Sequence, residues 1–192
     1  MAHPTQETEI KLAYPDVDTA RKLLRSAGFR IFKRRVFEVN TVYDTPRLAL
    51  RTASTLLRVR RAGPLATITY KGRPAVSRYK SREELEVEVS DPRIMGTILV
   101  RLGFHPAFRY EKYRTELRQP GLRGIATIDE TPIGVYVELE GTPAWIDRAA
   151  RRLGFAPRDY VNLSYAQLYL EWCRRRRIRP SDMVFGDGSK PA

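Results

Sequence analysis

Cysteine and histidine are almost missing from this chain. The single cysteine, Cys173, cannot close an internal disulfide, and His3 and His105 are too few for a zinc site of the usual Cys/His kind. Cys173 therefore reads as an inert thiol, and neither histidine is given a role. No apolar run is long enough to cross a bilayer, and the opening residues have no signal-like pattern. The expectation is a soluble, cytoplasmic protein without a membrane partner. Also missing are a glycine-rich phosphate loop, a Ser-His-Asp constellation and any repeat of solenoid period. Acidic residues are in deficit: 35 Lys and Arg face 22 Asp and Glu, a net charge of +13. A field of that sign attracts polyanions, whether nucleic acid, polyphosphate or nucleotide.

The 192 residues suffice for one domain with a proper core. The expected division is a single domain over 1–175 and a basic, polar, loosely held tail over 176–192. Alternation of apolar and charged residues marks eight strands. They lie near Glu7–Lys11, Phe29–Thr41, Thr55–Arg61, Ala66–Lys71, Arg82–Val89, Ala107–Arg118, Gly124–Glu130 and Val135–Glu140. Asp44-Thr45-Pro46 is a turn signal, and Arg73–Lys80 reads as a basic loop. Helices are expected from Pro15-Asp16 to Gly28, from Asp91-Pro92 to Leu102, from Thr142-Pro143 to Gly154, and from about Leu163 to Arg175. In the last of these, Tyr165, Leu168, Tyr169 and Trp172 fall at helical spacing and read as a packing stripe.

The strands carry the functional signal. Glu7, Glu9 and Lys11 share one face of the first strand, while Ile10 and Leu12 take the other. The same division recurs with Arg58 and Arg60, with Thr67, Thr69 and Lys71, and with Arg82, Glu84, Glu86 and Glu88. It returns in Lys112, Arg114 and Glu116, in Thr127 and Asp129, and in Tyr136, Glu138 and Glu140. Any one of these strands alone reads as a surface strand with its charges in water. Together, with several helices needing something apolar to cover, they imply an α+β fold. Its centre is a closed eight-stranded antiparallel β-barrel with its apolar faces outward under flanking helices and a charged lumen.

The two signs in that lumen suggest two tasks. Arg58, Arg60, Lys71, Lys112 and Arg114 form a cationic cradle suited to phosphate oxygens. Glu7, Glu9, Glu84, Glu86, Asp129, Glu138 and Glu140 suit a hard divalent cation, Mg²⁺ or Mn²⁺, that bridges to the phosphate. A basic cradle with an acid-bound metal is a recurring arrangement for phosphoryl transfer. Mutual neutralisation in structural ion pairs is the plainer alternative, at a high desolvation cost.

With these residues in view, the chain resembles the CYTH family, the triphosphate tunnel metalloenzymes. Glu7, Glu9 and Lys11 match its E-x-E-x-K signature, and Tyr43-Asp44-Thr45-Pro46 resembles its Y-D-T-P turn. Leu57–Arg60 matches L-R-x-R, Thr69–Gly72 matches T-x-K-G, and Arg82, Glu84 and Glu86 match R-x-E-x-E. Lys112 and Arg114 fit K-x-R, Asp129 with Glu138 and Glu140 fits the late acidic pattern, and Ser164–Leu168 resembles S-Y-x-x-L.

The resemblance implies a metal-dependent hydrolase of inorganic or nucleoside triphosphates, or a class IV adenylyl cyclase converting ATP to cyclic AMP and pyrophosphate. It implies that Glu7, Glu9, Glu138 and Glu140 hold a divalent metal with Asp129 close by, and that Glu84 and Glu86 hold a second metal or orient the basic residues. It further implies that Lys11, Arg58, Arg60, Lys71, Arg82, Lys112 and Arg114 grip the triphosphate and that Glu7, Glu9, Lys11 and Lys71 are the catalytic set. Val42 stands where thiamine triphosphatases have a tyrosine, and Glu38, Asn40, Val42 and Tyr43 replace the Q-x-D-x-Y-F pattern of the cyclases. The implied partner is a small molecule bearing a triphosphate. A non-catalytic binder of polyphosphate or RNA ends is a further reading, motivated by Arg174–Arg177 and Arg179. Such a run also suits a solvated helix end, where the dipole favours cations. The oligomeric state, a homodimer included, is not legible in the residues.

Overall fold

The computed structural model describes residues 5–186. Eight antiparallel strands are present: β1 (Thr5–Tyr14), β2 (Arg30–Asp44), β3 (Leu56–Ala62), β4 (Leu65–Lys71), β5 (Lys80–Glu88), β6 (His105–Arg118), β7 (Ile125–Thr131) and β8 (Gly134–Glu140). They close into a barrel in the order β1-β5-β4-β3-β2-β6-β7-β8, with β8 returning to β1. Glu9 pairs with Glu140 and Lys11 with Glu138 across that seam. The helices are α1 (Val17–Ser26), α2 (Ala49–Thr52), α3 (Pro92–Arg101), α4 (Pro143–Arg152) and α5 (Tyr165–Arg176). The eight-stranded barrel and the four longer helices agree with the sequence reading.

Local chemistry sets the helix ends. The Asp16 carboxylate accepts from the Thr19 N–H at 2.7 Å, and Asp91 and Thr142 cap α3 and α4 just before a proline. Ser164 and Gln167 form a reciprocal capping box that starts α5. The expected turn at Asp44-Thr45-Pro46 continues into a helical turn, α2. Asp44 accepts from the N–H groups of Thr45, Leu50 and Arg51 at 2.7, 2.9 and 2.9 Å, nucleating a helix too short to show periodicity.

Alternation along each strand sends the apolar side chains outward. Ile10, Leu12, Ala126, Ile128, Val137 and Leu139 form the main core with Leu24 of α1 and Trp145, Ile146 and Ala149 of α4. Gly124 is required at the entry to β7, because a Cβ there would meet the Trp145 ring at 2.1 Å. A second core joins Tyr110 to Tyr165, Leu168, Tyr169 and Cys173 of α5, and a third lies under α3.

The tail differs from expectation. Arg176 is the last residue of α5, and beyond it the chain returns along β6. Met183 is buried, exchanging backbone hydrogen bonds of 2.9 Å with Arg109 and Glu111, and Phe185 lies against Phe37 and Tyr113. An apolar pair amid polar residues is too short to reveal its docking site by pattern. Residues 187–192 of the expected tail, and His3, lie outside the described residues. No described helix is long and apolar enough to cross a membrane.

Candidate active site: a charged tunnel

The inward faces of the strands bring together side chains that are far apart in sequence. Lys71 of β4 donates to both Glu7 oxygens of β1 at 2.6 Å and lies 3.1 Å from Glu84 of β5. Arg82 lies 3.6 Å from Glu7. Lys11 bridges Glu9 and Glu138, each at 3.1 Å, and Lys80 sits 3.5 Å from Glu9. Asp129 is fully buried and accepts from Lys112 at 2.7 Å, Arg114 at 2.6 Å and the Tyr165 hydroxyl at 2.6 Å. Arg114 also donates to Glu138. Arg60 pairs with Glu86 at 2.9 Å, while Arg58 donates to Tyr110 and Thr69 at 3.2 Å and lies 3.6 Å from Glu86.

All the cations expected on the inner wall therefore line one tunnel. The carboxylates divide into groups, each turned towards cations. Glu7 and Glu84 share Lys71, Glu9 and Glu138 share Lys11, Glu86 faces Arg58 and Arg60, and Asp129 serves Lys112 and Arg114. Among the described residues no three acidic, histidine or cysteine side chains converge as a ready metal cage. Glu88 and Glu140 are exposed at the barrel's rims.

Electrostatics separates these acids. Burial alone would raise the Glu9 carboxyl, but Lys11, helped by Lys80 and Lys71, outweighs it and brings it to about 2 despite Glu138. Glu138 is likewise held well below the usual range: Lys11, Arg114 and Lys112 overcome its burial. Glu140 goes the other way. Although the residue reaches solvent at the rim, partial desolvation of its carboxyl against the wall, with Glu7, Glu9 and Glu84 nearby and only Lys71 opposing, pushes it up to about 7. An excess of negative charge at Glu140, among oxygen donors, is what a hard divalent cation would relieve. The oxygens are of the kind such an ion takes, though among the described residues they are turned to cations and do not converge on one point.

Four inward residues escaped the sequence reading. Lys80 was assigned to the basic loop; instead it starts β5, and burial followed by the Lys11 charge lowers its ammonium to about 8. Continuing the alternation two residues back from Arg82 would have found it. Glu38 and Asn40 of β2 face the lumen by the same rule, Glu38 lying 3.7 Å from Lys112 and 3.9 Å from Arg60. Tyr165 packs in the second core as expected, and does more. Its hydroxyl reaches Asp129 on the tunnel wall, and the Lys112 and Lys11 ammoniums stand 5.0 and 5.3 Å from its ring centroid. Burial and then the Asp129 and Glu138 charges raise its hydroxyl well above the usual range, so it remains a donor. Helical spacing identifies a buried residue and is silent on which layer buries it.

Known proteins share this architecture. The PH1819 protein of Pyrococcus horikoshii superposes with a TM-score of 0.71 at 26% identity, over 86% of this chain and 98% of that one. The Hippeastrum protein HpAC1, a candidate adenylyl cyclase described as revealing a dominant triphosphatase activity, superposes at 0.63 with 22% identity, over 86% and 95%. A Methanocaldococcus jannaschii protein provisionally named as adenylate cyclase, MJ0240, is 29% identical over 135 residues, 70% of this chain and 75% of its own. The CYTH domain description matches residues 5–182, from the first described residue of β1 to the segment docked on β6. A closed tunnel of inward charges over that whole span leaves one conclusion: the chain belongs to the CYTH family.

Proposed function

We propose that this chain is a metal-dependent enzyme that hydrolyses inorganic triphosphate or a nucleoside triphosphate inside the tunnel. The observation that carries this is the convergence of Lys11, Arg58, Lys71, Arg82, Lys112 and Arg114 from five strands onto one buried lumen, with Arg60 beside them. So many cations on a closed wall match a compact polyanion of several phosphates far better than a monophosphate.

Glu7, Glu9, Glu138 and Glu140 would hold Mg²⁺ or Mn²⁺, which when bound neutralises phosphate charge. Lys11, between Glu9 and Glu138, and Lys71, between Glu7 and Glu84, would exchange carboxylate partners for phosphoryl oxygens when substrate enters. Asp129 keeps Lys112 and Arg114 aimed and immobile, and Glu86 does the same for Arg60. The wall excludes bulk water, which strengthens each of these contacts. The carboxyl of Glu84, raised by burial and by Glu7 against the opposing Lys71, orients Lys71 from β5.

A second reading, conversion of ATP to cyclic AMP and pyrophosphate, is favoured by the name borne by the Methanocaldococcus relative. Pure binding of polyphosphate or nucleic acid has less support. Arg174–Arg176 occupy the last turn of α5, where the helix dipole accounts for them, and Arg176 stacks on Trp172 at 4.7 Å.

The test is incubation of the purified protein with Mg²⁺ or Mn²⁺ and either tripolyphosphate or ATP, with products separated by ion chromatography. Orthophosphate released from tripolyphosphate is the expected result. Cyclic AMP with pyrophosphate from ATP would establish the cyclase instead, and no turnover with either would leave a binder.

A further inference from the structure

Asn40 lies in the middle of β2, in register between Arg60 of β3 and Tyr110 of β6. It shares the lumen face with Glu38 and has no exposed surface. Neither its Oδ1 nor its Nδ2 has a hydrogen-bond partner in the protein. Thr67, on the far side of Arg60 in the same transverse row, also has a buried hydroxyl without a partner, as does the Nε of Arg58. Asn40 thus has neighbours with unmade hydrogen bonds of their own, as Arg82 and Thr127 have elsewhere on the wall, whereas Asp129 on β7 is saturated by three donors.

A buried carboxamide left unsatisfied destabilises a fold, and an apolar side chain of similar volume would not. Its retention is explained when a ligand completes it. A carboxamide differs from the surrounding cations in offering both a donor and an acceptor. We propose that Asn40 is a substrate-binding residue: Nδ2 donates to a phosphoryl oxygen held by Arg58 and Arg60, and Oδ1 accepts from a water bound beside that phosphate. This rests on reading the tunnel as a triphosphate site, and it adds a neutral contact that fixes the phosphate's rotation, which point charges alone do not.

The test compares wild type, Asn40→Leu and Asn40→Asp by thermal unfolding and by calorimetric titration with tripolyphosphate, with orthophosphate as control and no added metal. Asn40→Leu should melt no lower than wild type without ligand, yet bind tripolyphosphate roughly tenfold to a hundredfold more weakly. Asn40→Asp keeps the shape, stays folded beside Arg60, and should lose at least as much affinity because its charge repels the phosphate. Binding within twofold of wild type in Asn40→Asp, or in a folded Asn40→Leu, overturns the assignment. Failure of wild type to prefer tripolyphosphate to orthophosphate would remove the triphosphate reading and Asn40 with it. Wild-type preference with unchanged variants would remove Asn40 alone.

Discussion

The two sides of the barrel wall are built differently. On the β1-β8-β7 side the outer face is sealed: Ile10, Leu12, Val137 and Leu139 have no exposed surface beneath α1 and α4. On β5 the outer face is bare, with Leu85 42% and Val87 61% exposed. Inside, Lys71 and Thr69 of the neighbouring β4 are as buried as Lys11 and Glu9 on the sealed side, while Glu86 of β5 stays open to solvent. Closure of the ladder, rather than helix cover, is therefore what buries these β4 side chains. Helices add stability on one half, and the strand hydrogen bonds with the inward ion pairs hold the other.

That contrast can be broken in graded ways. The largest effect is expected at Asp129, where three donors each lose an acceptor. Asp129→Ala should cost about 3–5 kcal/mol of unfolding free energy, because it strands buried charges; a denaturant midpoint within error of wild type would contradict the account. Outer-wall truncations come next. Leu139→Ala on the sealed side should cost about 2–5 kcal/mol, against about 0.5 kcal/mol or less for Val87→Ala on the bare side, read from the same denaturation curves. Equal costs would mean that both outer faces are covered in solution.

On the inner wall, Arg58→Ala should weaken tripolyphosphate binding by about 1.5–3 kcal/mol while barely changing orthophosphate binding. A uniform loss by calorimetry would remove the cradle. The smallest effect concerns pH. Glu140 titrates near 7 in the folded protein, above the ordinary 4.5, so the native state holds the extra proton. Stability contributed by this group is present below about pH 4.5, falls as pH rises to about 7 and levels off above it. Glu140→Gln should therefore melt higher than wild type at pH 8 and nearly level with it at pH 4.5. Glu9, held near 2, acts in the opposite sense, and its contribution is lost as pH falls below 4.5.

Much of the site was legible because a strand's period of two is rigid: once Glu7, Glu9 and Lys11 share a face, so must any continuation. The same rule would have reached Lys80, but a run of basic and turn-forming residues before it resembles a loop. The packing role of Tyr165 was legible but its contact with Asp129 was not, since one helical stripe serves both a core and a tunnel wall. Met183 and Phe185 were read as tail because two apolar residues among polar ones carry no period at all.

Residue order alone determined which side chains face inward, where the longer helices begin and end, and that opposite charges alternate on one surface. Those are local properties, governed by backbone geometry and capping within a few residues. Tertiary structure decided which charges meet. Lys71 finds Glu7 across 64 residues, Asp129 gathers donors from β6 and α5, and Asn40 is left without any. Those outcomes depend on the shear and closure of the barrel, which bring together strands that are not neighbours in sequence and which no window along the chain contains.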